Sequence, residues 1–352
     1  MLEEIRQQPA ALEKTLKSGL REAETAGRHF SKNPPRLVVL AARGTSDNAA
    51  QFGRYLIEIT TGIPVSLAAP SVSTLYHAPL RLEGALVAGI SQSGESTDTN
   101  IVLEEARKRG AVTLGITNES GSSLARLADF TLLVRAGKEQ SVAATKTYTG
   151  QLLSFYLLAR ALGAPIGLAD LERLPETAAA ALRLEKEMAA RAERYRFMEH
   201  AVVVGRGLNY ANAFEWALKL METCYIVAER FSQADILHGP IAMVDRSFPA
   251  FVFAPPGMTW PGIRELLDKL GKIQAETMVV TDRSNREAPK GAVVIPAALG
   301  ASRRKTASSL PEDLFTAIPY IIPAQIFAAS LARVKGLNPD QPRGLSKITQ
   351  TV

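Results

Sequence analysis

Residues 85–105 read ALVAGISQSGESTDTNIVLEE and decide the fold class. The apolar run Ala85–Ile90 predicts a buried strand, and a helical pattern begins within the polar stretch Ser91–Thr99. Such a turn between strand and helix can bind an anion, because the first helical turn presents unbonded N–H groups and partial positive charge. The alternative is that the hydroxyl groups only cap the helix. This stretch alone leaves both interpretations open.

The rest of the first half continues the alternation of strands and helices. Further strands are predicted at Leu37–Ala41, Ile63–Ala68, Ala111–Thr117 and Phe130–Val134. Alternating strands and helices are typical of an α/β fold, in which a parallel sheet lies between helices on both faces (three layers, α/β/α). Ligands of such sheets bind at the carboxyl ends of the strands, where Gly44 and Gly94 are expected.

The pattern restarts in the second half as an internal repeat. The offset that carries Arg43-Gly44 onto Arg206-Gly207 also carries Gly94 onto Gly257. The sequence therefore predicts two copies of one α/β unit.

The two copies differ in the hydroxyl-rich turn. Ser91 aligns with Ala254, and Ser93 aligns with Pro256. A turn needed only for folding has little reason to differ in this way, so the comparison favours an anion site in the first copy.

These patterns predict five segments. They are a helical arm (1–27), a first α/β domain (28–168), a connecting helix (169–196), a second α/β domain (197–338) and a C-terminal tail (339–352).

The composition argues against several classes of protein. Net charge is only +6 and aromatic residues make up 6%, without a basic cluster, so no nucleic-acid partner is expected. One cysteine, Cys224, excludes a scaffold built on disulfides. The N-terminus does not resemble a signal peptide, and Pro319 and Pro323 interrupt the apolar segment Ile318–Leu331, which predicts a buried helix. We expect a cytoplasmic protein without a membrane partner.

A charged stripe in the second copy is the first candidate for chemistry. Glu215, Lys219 and Glu222 lie on one face of a predicted helix. A solvated row of salt bridges is one explanation. The other is a general base, with the lysine tuning it or moving a proton.

Two further residues suit chemistry on a sugar carbonyl. His238 lies in a Gly-Pro turn, where its imidazole can be presented to a substrate, although a lone loop histidine is more often structural. Lys347 lies in a polar tail that can fold over a site and form a Schiff base. No histidine or cysteine pair has metal-ligand spacing, so neither metal nor other cofactor is expected.

The chain resembles the sugar isomerase (SIS) family along nearly its whole length, and within it the tandem isomerase halves of the glutamine–fructose-6-phosphate amidotransferases. The matching motifs are Arg43–Ser46, Ser91–Thr99, Val142–Lys146, Ala217–Lys219 with Glu222, His238–Pro240, and Gln341–Arg343 with Lys347.

The resemblance implies a role for each matched position. The residues implied to contact the sugar phosphate are Gly44, Thr45, Ser46, Ser91, Gln92, Ser93, Gly94, Ser96, Val142 and Ala144. Glu222 matches the base that moves a proton between C1 and C2, with Lys219 as its companion and Glu215 as a supporting carboxylate. His238 matches a ring-opening histidine lent by the neighbouring subunit, which implies a homodimer. Lys347 matches the lysine that forms a Schiff base.

The chain departs from the family pattern at several positions. Leu2 follows Met1 where the synthases expose a cysteine nucleophile, so glutamine hydrolysis by this chain is not expected. Ala144 replaces a serine, Ser96 replaces a threonine, and Ala234–Leu237 differs from the usual Gly-Glu-Leu-Lys. Sugar specificity and reaction direction therefore stay open.

The sequence thus predicts a metal-free deaminase that converts glucosamine 6-phosphate into fructose 6-phosphate and ammonia. Alternatives within the class are an ammonia- or partner-dependent synthase and an enzyme of glycated sugar phosphates. The alternative of another class is a sugar-phosphate-binding regulator without turnover, which has no need of Glu222, Lys219, His238 and Lys347 together.

Overall fold

The computed structural model describes residues 1–299 and 310–347. The chain divides into two compact units. The first unit contains Gln7–Glu172 and the segment from Gly344 onward, and the second contains Met1–Arg6 and Arg173–Arg343.

The first unit is built on a parallel five-stranded sheet. Its strands are β1 (Leu37–Ala41), β2 (Val65–Leu67), β3 (Ala85–Ile90), β4 (Val112–Thr117) and β5 (Phe130–Leu133), in the order β2-β1-β3-β4-β5. Every residue of β3 is buried, as its uninterrupted apolar run predicts for a central parallel strand.

The helices of the chain up to Glu172 are α1 (Leu2–Arg6), which belongs to the second unit, and then α2 (Gln8–Phe30), α3 (Thr45–Thr61), α4 (Pro70–Thr74), α5 (Thr97–Lys108), α6 (Ser123–Leu127), α7 (Lys146–Ala161) and α8 (Leu168–Glu172). Helix α7 packs between α2 and α3. Gly53 permits the approach of α3, because a Cβ there would collide with the ring of Phe155.

The second unit repeats this architecture. Its strands are β6 (His200–Gly205), β7 (Val227–Ser232), β8 (Pro249–Phe253), β9 (Glu276–Asp282) and β10 (Val293–Ile295), in the order β10-β9-β8-β6-β7. Its remaining helices are α9 (Leu174–Leu182), α10 (Glu185–Arg194), α11 (Tyr210–Cys224), α12 (Gln233–Leu237), α13 (Trp260–Ile273) and α14 (Ala317–Val334). The prediction of two parallel sheets flanked by helices is confirmed.

Several predicted helices differ from the observed ones. The arm consists of α1 and α2 rather than one helix, and the connecting segment consists of α8, α9 and α10. The expected irregular stretch after β2 contains α4, which packs on α5.

Among the described residues, α14 is the one helix long and apolar enough to cross a membrane, and 89% of it is buried inside the protein. It packs against α9, α10 and α11, as a core helix does.

Candidate active site

The hydroxyl-rich turn follows β3 and is fixed by hydrogen bonds within the first unit. Ser91 is buried, and its Oγ accepts from Gly94 N at 3.1 Å. Ser93 is half-buried, and its Oγ accepts from Glu95 N at 3.2 Å. The carbonyl of Gln92 accepts from Thr117 Oγ1 at 3.2 Å. The turn is therefore a preformed structure tied to the end of β4.

Gly94 is required at its position for two reasons. Its φ is +67°, which is unfavourable for residues with a side chain. An added Cβ would also collide with the side chain of Ser122 at the start of α6. The close approach holds the turn against α6.

The start of α5 shows how the hydroxyl of Ser96 is used. Ser96 occupies the N-cap position but makes no side-chain cap, and its Oγ instead accepts from Thr99 Oγ1 at 3.1 Å. By contrast, Ser122 caps α6 through a bond from Ala125 N at 3.3 Å. Ser96 therefore does not cap α5 through its side chain. An anion site at this helix start stays a prediction.

The turn after β1 lies beside the hydroxyl-rich turn, because β1 and β3 are neighbours in the sheet. Arg43 donates to one oxygen of the buried Asp98 carboxylate in α5, at 2.8 and 2.6 Å. Gly44, with φ +57°, leads into α3, where Thr45 is half-buried. Ser46 is buried, and its Oγ accepts from Gln151 Nε2 at 2.9 Å, which gives this hydroxyl a structural role.

The loop before α7 carries the other predicted sugar contacts. Val142 is half-buried and Ala144 is buried. Lys347 lies on this loop, where its Nζ donates to the carbonyl of Ser141 at 2.5 Å and lies 3.5 Å from a carboxylate oxygen of Glu139. The structure therefore brings Lys347 together with the Val142–Ala144 segment inside the first unit.

Sequence reasoning missed Glu139. Its side chain is fully buried, although a glutamate in a polar loop is ordinarily exposed. The one sequence feature that could have pointed to Glu139 is its position three residues before Val142, where a matched motif begins.

The charged stripe of α11 is an internal cluster rather than a solvated row. Lys219 and Glu215 are fully buried, while the side chain of Glu222 is 23% exposed. Lys219 Nζ lies 2.5 Å from a Glu222 oxygen and 3.4 Å from a Glu215 oxygen. Within this cluster, the Glu222 carboxylate is thus the group that can contact a ligand.

Electrostatics keep Lys219 charged. Burial alone lowers the pKa of this ammonium, but attraction and hydrogen bonds from Glu215 and Glu222 outweigh burial and raise the pKa above its ordinary value. Lys219 is consequently suited to stabilising an anionic Glu222 and unsuited to accepting a proton.

His238 lies directly after α12 and is exposed. It is accessible to a ligand or to another chain. Within residues 1–299 and 310–347, no three His, Cys, Asp or Glu side chains are grouped to hold a metal ion.

These features define an α/β protein with a tandem repeat, in which the first copy has a hydroxyl-rich turn after its third strand. The chain belongs to the SIS domain family, whose model matches residues 33–161 and 197–308.

Similar relatives include longer proteins. The glutamine–fructose-6-phosphate aminotransferase (isomerizing) of Aquifex aeolicus is 35% identical over 359 residues, covering 99% of this chain and 57% of the relative. The protein of the same name from Pyrococcus horikoshii is 33% identical, with the same coverage. The chain therefore spans little more than half the length of these relatives.

Two solved structures show the same fold over the length of the chain. The C-terminal domain of glucosamine-fructose-6-phosphate aminotransferase from Francisella tularensis has a TM-score of 0.86 and 28% identity, covering 97% of this chain and 98% of that chain. Glucosamine-6-phosphate deaminase from Thermotoga maritima has a TM-score of 0.71 and 22% identity, covering 97% and 100%.

Proposed function

We propose that the protein is a phosphosugar isomerase of the SIS family that acts as an aminosugar-phosphate deaminase. The proposed reaction converts glucosamine 6-phosphate and water into fructose 6-phosphate and ammonia. The observation that carries the proposal is the Glu215–Lys219–Glu222 cluster, because its geometry prepares a carboxylate base and its burial has no counterpart in an ordinary surface salt bridge.

The first unit is proposed to bind the phosphate. Thr45, Ser93 and Ser96 offer hydroxyl groups that are partly exposed, and the N-terminus of α5 adds its partial positive charge. Ser91 and Gly94 are buried and are proposed to shape the turn. No metal is needed for this mode of binding, because the donors are neutral groups and backbone N–H groups.

The second unit is proposed to supply the base. In the open-chain aminosugar, Glu222 takes the proton from C2 and returns it to C1, while one proton of the amine passes to the C1 oxygen. The product is a 2-imine of fructose 6-phosphate. Addition of water at C2 then releases ammonia and leaves the ketone. Lys219 stays protonated throughout and places a fixed positive charge beside the Glu222 carboxylate.

His238 is proposed to assist ring opening by moving a proton between the ring oxygen and the anomeric hydroxyl. Its exposure fits the proposal that it acts in the site of a second copy of the chain, as a homodimer permits. Lys347 is proposed to form a Schiff base with the carbonyl of the open-chain sugar.

The reverse direction is the second candidate. Identities of 33–35% to proteins named aminotransferases favour synthesis of glucosamine 6-phosphate from fructose 6-phosphate and ammonia. Both directions use the same proton transfer, so Glu222 has the same role in each.

Incubation with glucosamine 6-phosphate, with ammonia and fructose 6-phosphate measured separately, tests the proposal. A parallel reaction contains fructose 6-phosphate and ammonium, and a third offers a glycated sugar phosphate. We expect equal release of both products in the first reaction and none with Glu222→Gln. Turnover only in the second reaction would assign synthesis. Tight binding of both sugar phosphates without turnover in any of the three reactions would refute the proposal of an enzyme and favour a regulator.

A further inference from the structure

Glu139 organises the loop between β5 and α7. Its Oε1 accepts from Thr145 N at 2.8 Å, from Thr145 Oγ1 at 3.3 Å and from Thr147 N at 3.3 Å. Its Oε2 accepts from Thr147 Oγ1 at 2.5 Å. The carboxylate thus satisfies N–H groups at the start of α7 and complements the positive end of that helix.

The second oxygen of this carboxylate also faces Lys347. Lys347 Nζ lies 3.5 Å from Oε2, and its side chain is 29% exposed while that of Glu139 is fully buried. The same ammonium donates to Ser141 O. Two anchors, one charged and one neutral, therefore hold Lys347 at the loop that contains Val142 and Ala144.

We propose that Glu139 is a positioning residue that holds the Lys347 amine at the sugar and acts as the counterion of its Schiff base. The inference rests on the proposed function, since it assigns Lys347 a sugar carbonyl to attack.

The charge balance of the step supports a counterion. The ammonium first loses one proton to solvent, because only the neutral amine can attack. The nitrogen then bonds to the carbonyl carbon, a second N–H proton and one returned by solvent leave with the carbonyl oxygen as water, and a protonated imine remains. One positive charge is present on the nitrogen before and after the step. A fixed carboxylate beside it therefore stabilises the reactant and the protonated, electrophilic product, because little solvent reaches the carboxylate to screen it.

Glu139→Gln separates this role from loop folding. The amide oxygen can replace Oε1 and keep its three bonds, and the amide nitrogen then replaces Oε2, the atom that faces Lys347. Thr147→Val is the matched control, because it removes the hydroxyl bond to Oε2 but leaves the negative charge.

The first measurement traps the imine. Each variant is incubated with fructose 6-phosphate and cyanoborohydride, and the reduced adduct is followed by intact mass and peptide mapping. We expect trapping at Lys347 about tenfold slower in Glu139→Gln, within about threefold of the unmodified protein in Thr147→Val, and absent in Lys347→Ala. Equal rates in Glu139→Gln and the unmodified protein would overturn the inference. Equal losses in Glu139→Gln and Thr147→Val would assign Glu139 to loop folding alone.

A second measurement needs no turnover. Endoproteinase Lys-C cuts after Lys347 only when that side chain is released from its anchors. We expect cleavage there to be about tenfold faster in Glu139→Gln than in Thr147→Val. Equal cleavage would overturn the positioning role even in a protein without activity. A protein that releases ammonia but shows neither effect retains the proposed function and loses this inference.

The double variant Glu139→Gln/Lys347→Ala distinguishes action through Lys347 from a general structural effect. If Glu139 works through the amine, its replacement lowers kcat no further once Lys347 is gone, so the two losses are not additive. Additive losses would contradict the proposal.

Discussion

Replacing Lys219 by Met is the perturbation whose outcome the structure determines most directly. Met keeps most of the volume of the lysine stem and removes the ammonium. Glu215 then remains fully buried at a site where the cation lay 3.4 Å from its oxygen. Breaking a buried ion pair by removing one partner costs about 3–5 kcal/mol of unfolding free energy. For a domain of this size, that corresponds to a fall in Tm of roughly 6–20 °C.

Two further variants test whether the loss of stability comes from the unpaired charge of Glu215. Glu222→Gln leaves Lys219 paired with Glu215 and alters a side chain that is already 23% exposed, so we expect a loss of only about 1 kcal/mol. The double variant Lys219→Met/Glu215→Gln removes both buried charges, and we expect it to recover at least about half of the loss, since a neutral amide is cheaper to bury.

Urea denaturation followed by circular dichroism measures all four proteins. Stability of Lys219→Met within about 1 kcal/mol of the unmodified protein, or no recovery in the double variant, would refute the assignment of a buried charge cluster.

Three further outcomes are expected. Ser93→Ala should weaken binding of fructose 6-phosphate about tenfold by calorimetry with little change in Tm, whereas Ser122→Ala, which removes the cap of α6, should cost about 1 kcal/mol of stability and leave binding within about threefold. The reverse pattern would make the turn structural. Mixing inactive His238→Ala with inactive Glu222→Gln should restore part of the activity if the histidine acts in the partner's site, and no recovery would refute that exchange. Burial raises the pKa of the Cys224 thiol to about 11, so a disulfide reagent at about pH 8 should label it only after unfolding; rapid labelling of the native protein would contradict this.

The strands could be read from the sequence because their signals are local. β1 and β3 have the bounds that their apolar runs predict, Leu37–Ala41 and Ala85–Ile90, since polar or glycine-containing turns follow each run at once. The predicted single connecting helix was wrong for a tertiary reason. Its segment divides between α9 and α10 at Arg183 and Leu184 without a proline or glycine, and both helices pack separately on α14.

The start of α7 shows why the site was only partly predictable. The apolar run of this helix begins near Gln151 in the sequence, after Thr147, Thr149 and Gly150, which are poor helix formers. The helix begins at Lys146 because Glu139, which lies outside it, accepts the N–H groups of Thr145 and Thr147. A bond between a loop carboxylate and a helix start has no periodicity, so pattern reasoning missed both the early start and the residue that causes it.

The second copy provides a comparison for the hydroxyl-rich turn of the first. At the position of Ser91 it has the buried Ala254, whose carbonyl accepts from Thr281 Oγ1 at 2.7 Å and Asn285 Nδ2 at 3.2 Å. At the end of β9, the buried Asp282 accepts from Tyr320 Oη at 2.7 Å. The carbonyl of Ala254 is thus already bonded to residues of its own unit. The carboxylate of Asp282, at the end of the neighbouring strand, would repel a phosphate.

An equivalent sheet therefore folds without serine hydroxyls after its third strand. Since folding of the unit does not demand them, the half-buried hydroxyl of Ser93 in the first copy needs another explanation. The start of α5 supplies one, because Ser96 leaves that helix without a side-chain cap. The pairing of a donor-rich turn and a helix start without a side-chain cap is the physical argument for the proposed phosphate site, while the sugar is proposed from the family resemblance.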